Sequence, residues 1–390
     1  VPADPRHEAP DPRGERGEEF RDDLRGMAGR SEATRAARRL LAPEELAALT
    51  RLDDRRSLAS MAVTAGWIAA ALAAAAAAWW GEASMAVLLA VTVGAIAVIG
   101  VQQHALFILA HEAAHYRLFA DRRLNDAVGR LIGMAGGISM RTYRVVHRLH
   151  HNHLYEARDP DTAIHGGYPR GVAYLWKKLL QDLVGLNAWK TFAYFFGAPA
   201  LNDDTGAAAR PLDDTSARLR AEARADRWAV VAFQLGMPVA CGLIGGWRLL
   251  GFYLLFWVVP LVTVLQPILR LRAICEHGAV SDLGSPLTAA RTNLTGWGAT
   301  SRSGRVLDAA LNLLGRLLLF PHHVNYHLEH HLYPAVPHYH LPALHRGLVD
   351  KGALADAEVR DLRQTLAMVF AARRPRPAKP AAEHPATSAR

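Results

Sequence analysis

Three short stretches of the chain concentrate imidazoles at helical spacing: His111-Glu-Ala-Ala-His115, His147-Arg-Leu-His150-His151 and His327-Leu-Glu-His330-His331. Residues three and four apart lie on one face of a helix, so each stretch is expected to aim its imidazoles as a group in one direction. Neutral imidazole is the commonest metal ligand and suits iron, zinc and copper. Eight such ligands exceed what one ion takes, which implies two ions. The chain holds 19 histidines, 17 of them between His104 and His345. Its two cysteines, Cys241 and Cys275, exclude a disulfide scaffold, a thiolate zinc site and an iron–sulfur centre. No C-x-x-C-H run is present for haem attachment.

Each stretch alone has a plainer reading. HEAAH fits a zinc peptidase with Glu112 as general base, or a chance pair on a helix, and HRLHH fits a basic surface. The three together are harder to explain in this way. The other histidines are read as structural. His153 lies about 240° round the helix from His147 and faces away. His104 is lodged in an apolar run, and His322, His338, His340 and His345 read as surface or packing residues. His323, four before His327, is expected to support that ring from behind.

These stretches need elements to carry them. The chain has 390 residues, 51% hydrophobic and 21% charged, which excludes a disordered chain. Uncharged runs of 25 residues lie between Arg56 and Glu82, 29 between Glu82 and Glu112, 20 between Arg227 and Arg248, and 21 between Arg248 and Arg270. About 20 apolar residues in a helix cross a bilayer core. The expected fold is therefore all-α and integral to the membrane, with four spans at 58–80, 84–109, 228–247 and 249–269. They form two hairpins, turning at Gly81-Glu82-Ala83 and near Gly246-Trp247-Arg248. Trp79, Trp80, Trp228 and Trp247 stand at the run ends, as interfacial aromatics do.

Arg51, Arg55 and Arg56, the 111–227 segment and the C-terminus are rich in positive charge, whereas the two turns are not. The positive-inside rule puts both termini and the central segment in the cytoplasm. The net charge of +9 is read as topology and attraction to anionic lipid, not as nucleic-acid binding. Residues 1–48 read as a charged, disordered segment without a cleavable signal, 49–350 as the membrane domain, 351–372 as a C-terminal helix and 373–390 as a disordered tail. Lys177, Lys178, Gln181 and Asp182 against Leu175, Leu179, Leu183 and Leu186 describe an amphipathic helix, lying in the membrane interface, on the protein's own core, or both.

HEAAH, HRLHH with its trailing Asp159-Pro160-Asp161, and NYHLEHHLYPAVP resemble the three histidine boxes of the membrane fatty-acid desaturase/hydroxylase superfamily, over roughly Leu58 to Leu348. They look most like those of bacterial acyl-lipid desaturases. The chain departs from stearoyl-type enzymes in its first and third boxes. It departs from front-end desaturases too, which carry Gln where His327 stands and a fused cytochrome b5 with HPGG. The resemblance implies a cytoplasmic helical cap around a non-haem di-iron site (two Fe2+/Fe3+ ions) and a further ligand after the fourth span, His277. Nine candidate metal ligands result: His111, His115, His147, His150, His151, His277, His327, His330 and His331. Glu112, Asp159, Asp161, Glu276 and Glu329 sit beside them, where metal-bound histidines usually find a carboxylate for the other ring nitrogen.

The function this implies is O2-dependent desaturation of an acyl chain carried by a lipid, coenzyme A or acyl-carrier protein. A lipid or carotenoid hydroxylase or ketolase of the same superfamily is the alternative. Electrons are expected from a separate ferredoxin, rubredoxin or cytochrome b5-type donor, and the expected location is a bacterial cytoplasmic membrane. A zinc peptidase built on HEAAH is a distant alternative that leaves two boxes unexplained. A metal transporter would place its ligands at mid-membrane depth.

Overall fold

The computed structural model describes residues 40–155, 159–198, 215–283, 285–295 and 306–372. The segments expected to be disordered, up to residue 39 and from 373 onward, lie outside the described residues. Residues 40–48, which fall within the segment expected to be disordered, include the start of a helix. Helix α1 (Pro43–Thr50) opens on a proline, and Glu45 reaches back to the Ala42 amide at 2.8 Å. Leu41 is buried in one cluster with Leu341, Leu344 and Leu348, which explains why this stretch folds although its composition is polar.

Helices α2 (Asp54–Trp80) and α3 (Met85–Ala114) form the first hairpin. Asp53 caps α2 by accepting from the Arg55 amide, and Ser84 caps α3 by accepting from Val87. Small residues let the pair approach: Ala71 and Ala75 pack with Ala95, Ile99 and Phe256. Two helices follow, α4 (Arg122–Ala135) and α5 (Met140–His153), the second capped by Ser139.

The stretch from 172 divides into α6 (Val172–Leu183) and α7 (Ala188–Phe195). Its polar stripe differs from expectation. Asp182 is buried, pairing with Arg270 and accepting from Asn187 Nδ2 at 2.8 Å. Leu175 and Leu179 turn to the core, while Trp176, Leu180, Leu183, Leu186 and Trp189 are exposed, so one side of this stretch packs inward and another presents apolar surface outward.

Helix α8 (Ala217–Tyr253) loses helical geometry at Gly245 and Gly246, the latter at φ +61°, which favours glycine. The chain reverses there. Gln234 Nε2 donates to the Met134 carbonyl at 2.6 Å and Trp257 Nε1 to the adjacent Ala135 carbonyl at 3.1 Å, so residues on either side of the glycines meet the same end of α4. After a wide helical turn at Leu254–Val258 and a break at Thr263, α9 (Leu265–His277) carries the chain to the site.

Among the described residues, three helical stretches are long and apolar enough to cross a membrane: α2, α3 and the run Ala217–His277, which contains the breaks at Gly245, Gly246 and Thr263. Their outer faces carry apolar side chains to the surface, with Leu243, Ile244 and Trp247 at 83%, 81% and 79% exposure. Apolar surface on this scale belongs in lipid, and the chain is a membrane protein.

The last third wraps the helix ends. Strand β1 (Thr292–Leu294), α10 (Val306–Leu314), α11 (His327–Leu332), α12 (Leu341–Asp350), strand β2 (Val359–Asp361) and α13 (Leu362–Val369) follow in order. β1 and β2 pair in parallel, Asn293 opposite Arg360, a small departure from an all-helical fold. Arg291 explains it: fully buried, it pairs with Glu358 at 3.1 Å and donates to the carbonyls of Cys275, Gly278 and Ala279. In place of one C-terminal helix over 351–372, turns and β2 precede the short α13.

Candidate metal centre

Four elements deliver imidazoles to one place: the end of α3, α5, the last residue of α9, and α11. Their ligand atoms form two groups, each within 4.8 Å throughout: His111, His115, His147, His151 and His330, and His150, His277, His327 and His331. The structure therefore brings together all nine histidines marked in the sequence, but it divides the boxes. His150 leaves its neighbours for the second group, and His330 joins the first. Helix geometry explains the division. Residues i and i+4 are about 40° apart, whereas i+3 and i+4 differ by about 100°. Each i,i+4 pair (His111/His115, His147/His151, His327/His331) stays together, and the i+3 member of a box faces the other group.

Within each group the Nε2 atoms converge. His147 lies 2.8 Å from His115 and 3.0 Å from His151, which lies 3.1 Å from His330. In the second group His277 lies 3.2 Å from His150 and 2.8 Å from His327, which lies 3.1 Å from His331. Two imidazoles bound at right angles to one ion at about 2.1 Å hold their nitrogens about 3 Å apart.

Hydrogen bonding on the far side of the rings fixes which nitrogens are bare. His150 Nδ1 donates to Asp159 Oδ1 at 3.0 Å, and His277 Nδ1 to the Ala289 carbonyl at 3.1 Å. In neutral rings their Nε2 atoms then present lone pairs to each other. Burial, followed by the neighbouring imidazoles, pushes His147, His151, His327 and His331 well below the ordinary histidine range. Burial is also the main cause for His330, and it brings His115 down to about 4. Buried lone pairs converging without protons repel one another unless a cation lies between them. The donor set fits a pair of first-row metal ions.

The flanking acids differ in what they touch. Burial works against the Asp159 carboxylate, but its contact with His150 holds it below the usual carboxylate range. Asp159 also accepts from the Tyr155 and Asp161 amides and the Thr162 hydroxyl. Asp161 lies 3.6 Å from His150 Nδ1 and accepts from the Tyr194 hydroxyl. Glu112 lies 3.6 Å from His111 Nδ1, and its other oxygen accepts from the His338 amide at 2.8 Å. Glu329 contacts Thr292 and His345 rather than a clustered imidazole, and His323 is in neither group. Glu276 accepts from Arg272 Nε at 2.8 Å, with its second oxygen 3.6 Å from His327 Nε2.

Two further buried histidines lie beside the groups, one read in the sequence as a surface or packing residue and one not singled out there. His338, expected at the surface or in packing, is buried and joins Glu112 to Ser60, with Nε2 2.9 Å from the Ser60 hydroxyl. His165, outside the three boxes, is buried, forms a third group with His150 and Asp159, and has its ring 4.8 Å from that of His277. Its only sequence signal is its place just after Asp159-Pro160-Asp161. His322 bonds Thr64, His340 bonds the Leu49 carbonyl, and His153 lies in neither group.

An apolar wall adjoins the first group. Tyr143 stacks on His147 with 5.3 Å between ring centroids and packs on Phe195, in a cluster with Phe107, Ile138, Val146, Leu261 and Leu265.

Comparison with known proteins gives consistent findings. The sequence pattern described as "Fatty acid desaturase" matches residues 84–362. The chain is 28% identical over 258 residues to dihydrorhizobitoxine desaturase of Bradyrhizobium elkanii, covering 62% of this chain and 63% of that protein. It is 26% identical over 250 residues to the chloroplastic omega-3 fatty acid desaturase of Glycine max, covering 61% of this chain and 49% of that protein. The chain thus spans less than two thirds of the length of either relative.

Proposed function

The chain belongs to the fatty acid desaturase family, and from that premise we propose that it desaturates an acyl chain with O2 at a di-iron centre held by nine histidines. The observation that carries this reading is the convergence of imidazole nitrogens into a five-membered and a four-membered group. His111, His115, His147, His151 and His330 would hold one ion, and His150, His277, His327 and His331 the other. Bound there, two irons would supply the redox capacity to activate O2 against an unactivated C–H bond.

The protein's own part is placement. The wall of Tyr143, Phe107, Phe195 and Leu265 beside the first group would give a bound methylene chain an apolar neighbour and keep water from the reacting carbon. Asp159 keeps the Nδ1 proton on His150, and the Ala289 carbonyl does the same for His277, so both Nε2 atoms stay available. Four membrane passages, counted across the reversal at Gly245 and Gly246, would set the histidines at the cytoplasmic ends of the spans. The site would then draw its substrate from the bilayer and its electrons from a separate carrier.

The relatives' names refer to different substrates, dihydrorhizobitoxine in one case and a fatty acid in the other. Chain length and carrier therefore need experiment. The chain should be expressed in a host of known lipid composition, alongside a His327→Ala variant, and the lipids analysed by mass spectrometry. Products lighter by two hydrogens, absent with the variant, support desaturation. Products heavier by one oxygen move the assignment to a hydroxylase, and an unchanged lipid profile counts against an acyl-lipid substrate.

A further inference from the structure

The five-histidine group has an edge that reaches the surface. His115 is the one member of either group that is only partly buried. A cleft beside it is lined by His115, His147 and His151 together with Arg144, Arg148 and Asn152. Arg144 is fixed there: its guanidinium donates to the Ala113 and Ala114 carbonyls at the end of α3 and pairs with Asp126 at 2.9 Å. Arg148, one turn further along α5, is half-buried and makes no hydrogen bond or ion pair among the described residues. Tyr116 follows His115 at φ +57°, and the guanidinium groups of Arg122 and Arg144 lie 4.3 and 4.1 Å from its ring centroid. Arg117 donates to the His115 carbonyl at 3.2 Å. Four arginines and a tyrosine thus gather beside the one partly exposed ligand. The acids nearest in the chain, Asp121 and Asp126, are engaged in the cap of α4 and the pair with Arg144.

The proposed reaction needs electrons from outside. Forming the double bond removes two hydrogens, and with them two of the four electrons that reduce O2 to two waters. The other two electrons arrive with two protons, and two one-electron carriers are oxidised to deliver them. An electron coming from the aqueous side meets its first ligand where an imidazole edge is uncovered, which is His115. We infer that this arginine-rich surface docks an electron-carrier protein with acidic groups around its redox centre. Guanidinium pairs with carboxylate in bidentate geometry, and Arg and Tyr are residue types enriched where binding energy concentrates. Charge complementarity steers the carrier onto the cleft and fixes its register. Electrons then enter through the five-histidine group. This inference rests on the desaturase reading and adds to it the partner's surface chemistry and its place of attachment.

Binding tests it without turnover. The chain is embedded in nanodiscs of zwitterionic lipid, which keeps headgroup charge out of the measurement. An acidic ferredoxin, a rubredoxin and a cytochrome b5 are each titrated against it at low and at physiological salt. At least one should bind, and its affinity should fall as salt rises. Arg148→Gln should weaken that carrier about 3-fold and Arg148→Glu about 10-fold, while Arg148→Lys should recover most of the affinity. Melting temperature and metal content should match wild type in all three, because no hydrogen bond or ion pair is lost. Arg220→Glu, a reversal of an exposed charge at the start of α8, should bind the carrier as wild type does. Equal affinity in wild type and Arg148→Glu overturns the assignment, as does an equal loss in Arg220→Glu. Binding by none of the three carriers overturns it too, whereas failure of the desaturase reading shows separately as an unchanged lipid profile.

Discussion

His150 and His277, from helices distant in sequence, face each other through Nε2 at 3.2 Å while Asp159 and the Ala289 carbonyl hold their Nδ1 atoms. The arrangement places two acceptors nose to nose, which only a shared cation makes favourable. Removing the Asp159 anchor tests how much the site depends on it. Asp159→Ala should weaken binding at the four-histidine group about 10–100-fold and leave the five-histidine group near wild type. Metal content after dialysis should fall from about two ions per chain toward about one. Equal loss from both groups would contradict this division.

The division of the boxes gives a sharper test. His151→Ala and His147→Ala should disturb the same ion, because both belong to the five-histidine group. His150→Ala, despite adjoining His151, should instead share its spectral signature with His277→Ala. Cobalt-substituted single and double variants would show it: pairs within a group should be non-additive, and pairs across groups closer to additive. Grouping by sequence box would refute the geometry.

The histidine clusters were legible because metal binding on helices leaves a periodic trace, and the uncharged runs because a bilayer sets a minimum length. What sequence spacing hid was angular. His147, His150 and His151 lie near one another on a helix, yet about 100° separates the last two, enough to serve different centres. Contacts far apart in the chain left no local trace either. His338 meets Glu112 across 226 positions, and Asp182 finds Arg270 across 88. An acid in an amphipathic pattern reads as solvated until its partner helix is placed. The turn expected near Gly246-Trp247-Arg248 falls beside the loss of helical geometry at Gly245 and Gly246, but His277 stood out only through the family resemblance, since a single histidine has no period.

Acid should destabilise the metal-depleted protein. His147, His151, His330 and His331 are held well below the ordinary histidine value when folded, and His115 at about 4, while in the unfolded chain they titrate near about 6.5. Below that value the unfolded state binds more protons, so stability falls as pH drops. Above it these rings are neutral in both states and contribute no slope. Thermal melts of the metal-depleted chain should be level from pH 8 to about 7 and then decline steeply toward pH 5. A flat profile through pH 5 would mean the rings are not buried neutral.

Gly100 allows α3 to touch the segment leading into α9. A Cβ built there would lie 2.5 Å from Val264 Cβ and 3.5 Å from Pro260 Cβ. Since α3 carries His111 and His115 and α9 carries His277, this contact helps set the spacing of the two histidine groups. Gly100→Ala should cost about 1–3 kcal/mol by overpacking and reduce metal retention by prying the helices apart. Gly94→Ala, on the same helix with nothing within 4 Å of the added Cβ, should be neutral or slightly stabilising. Thermal denaturation and metal content of the two variants compare them directly, and similar behaviour would remove the α3–Val264 contact from the account of how the site is spaced.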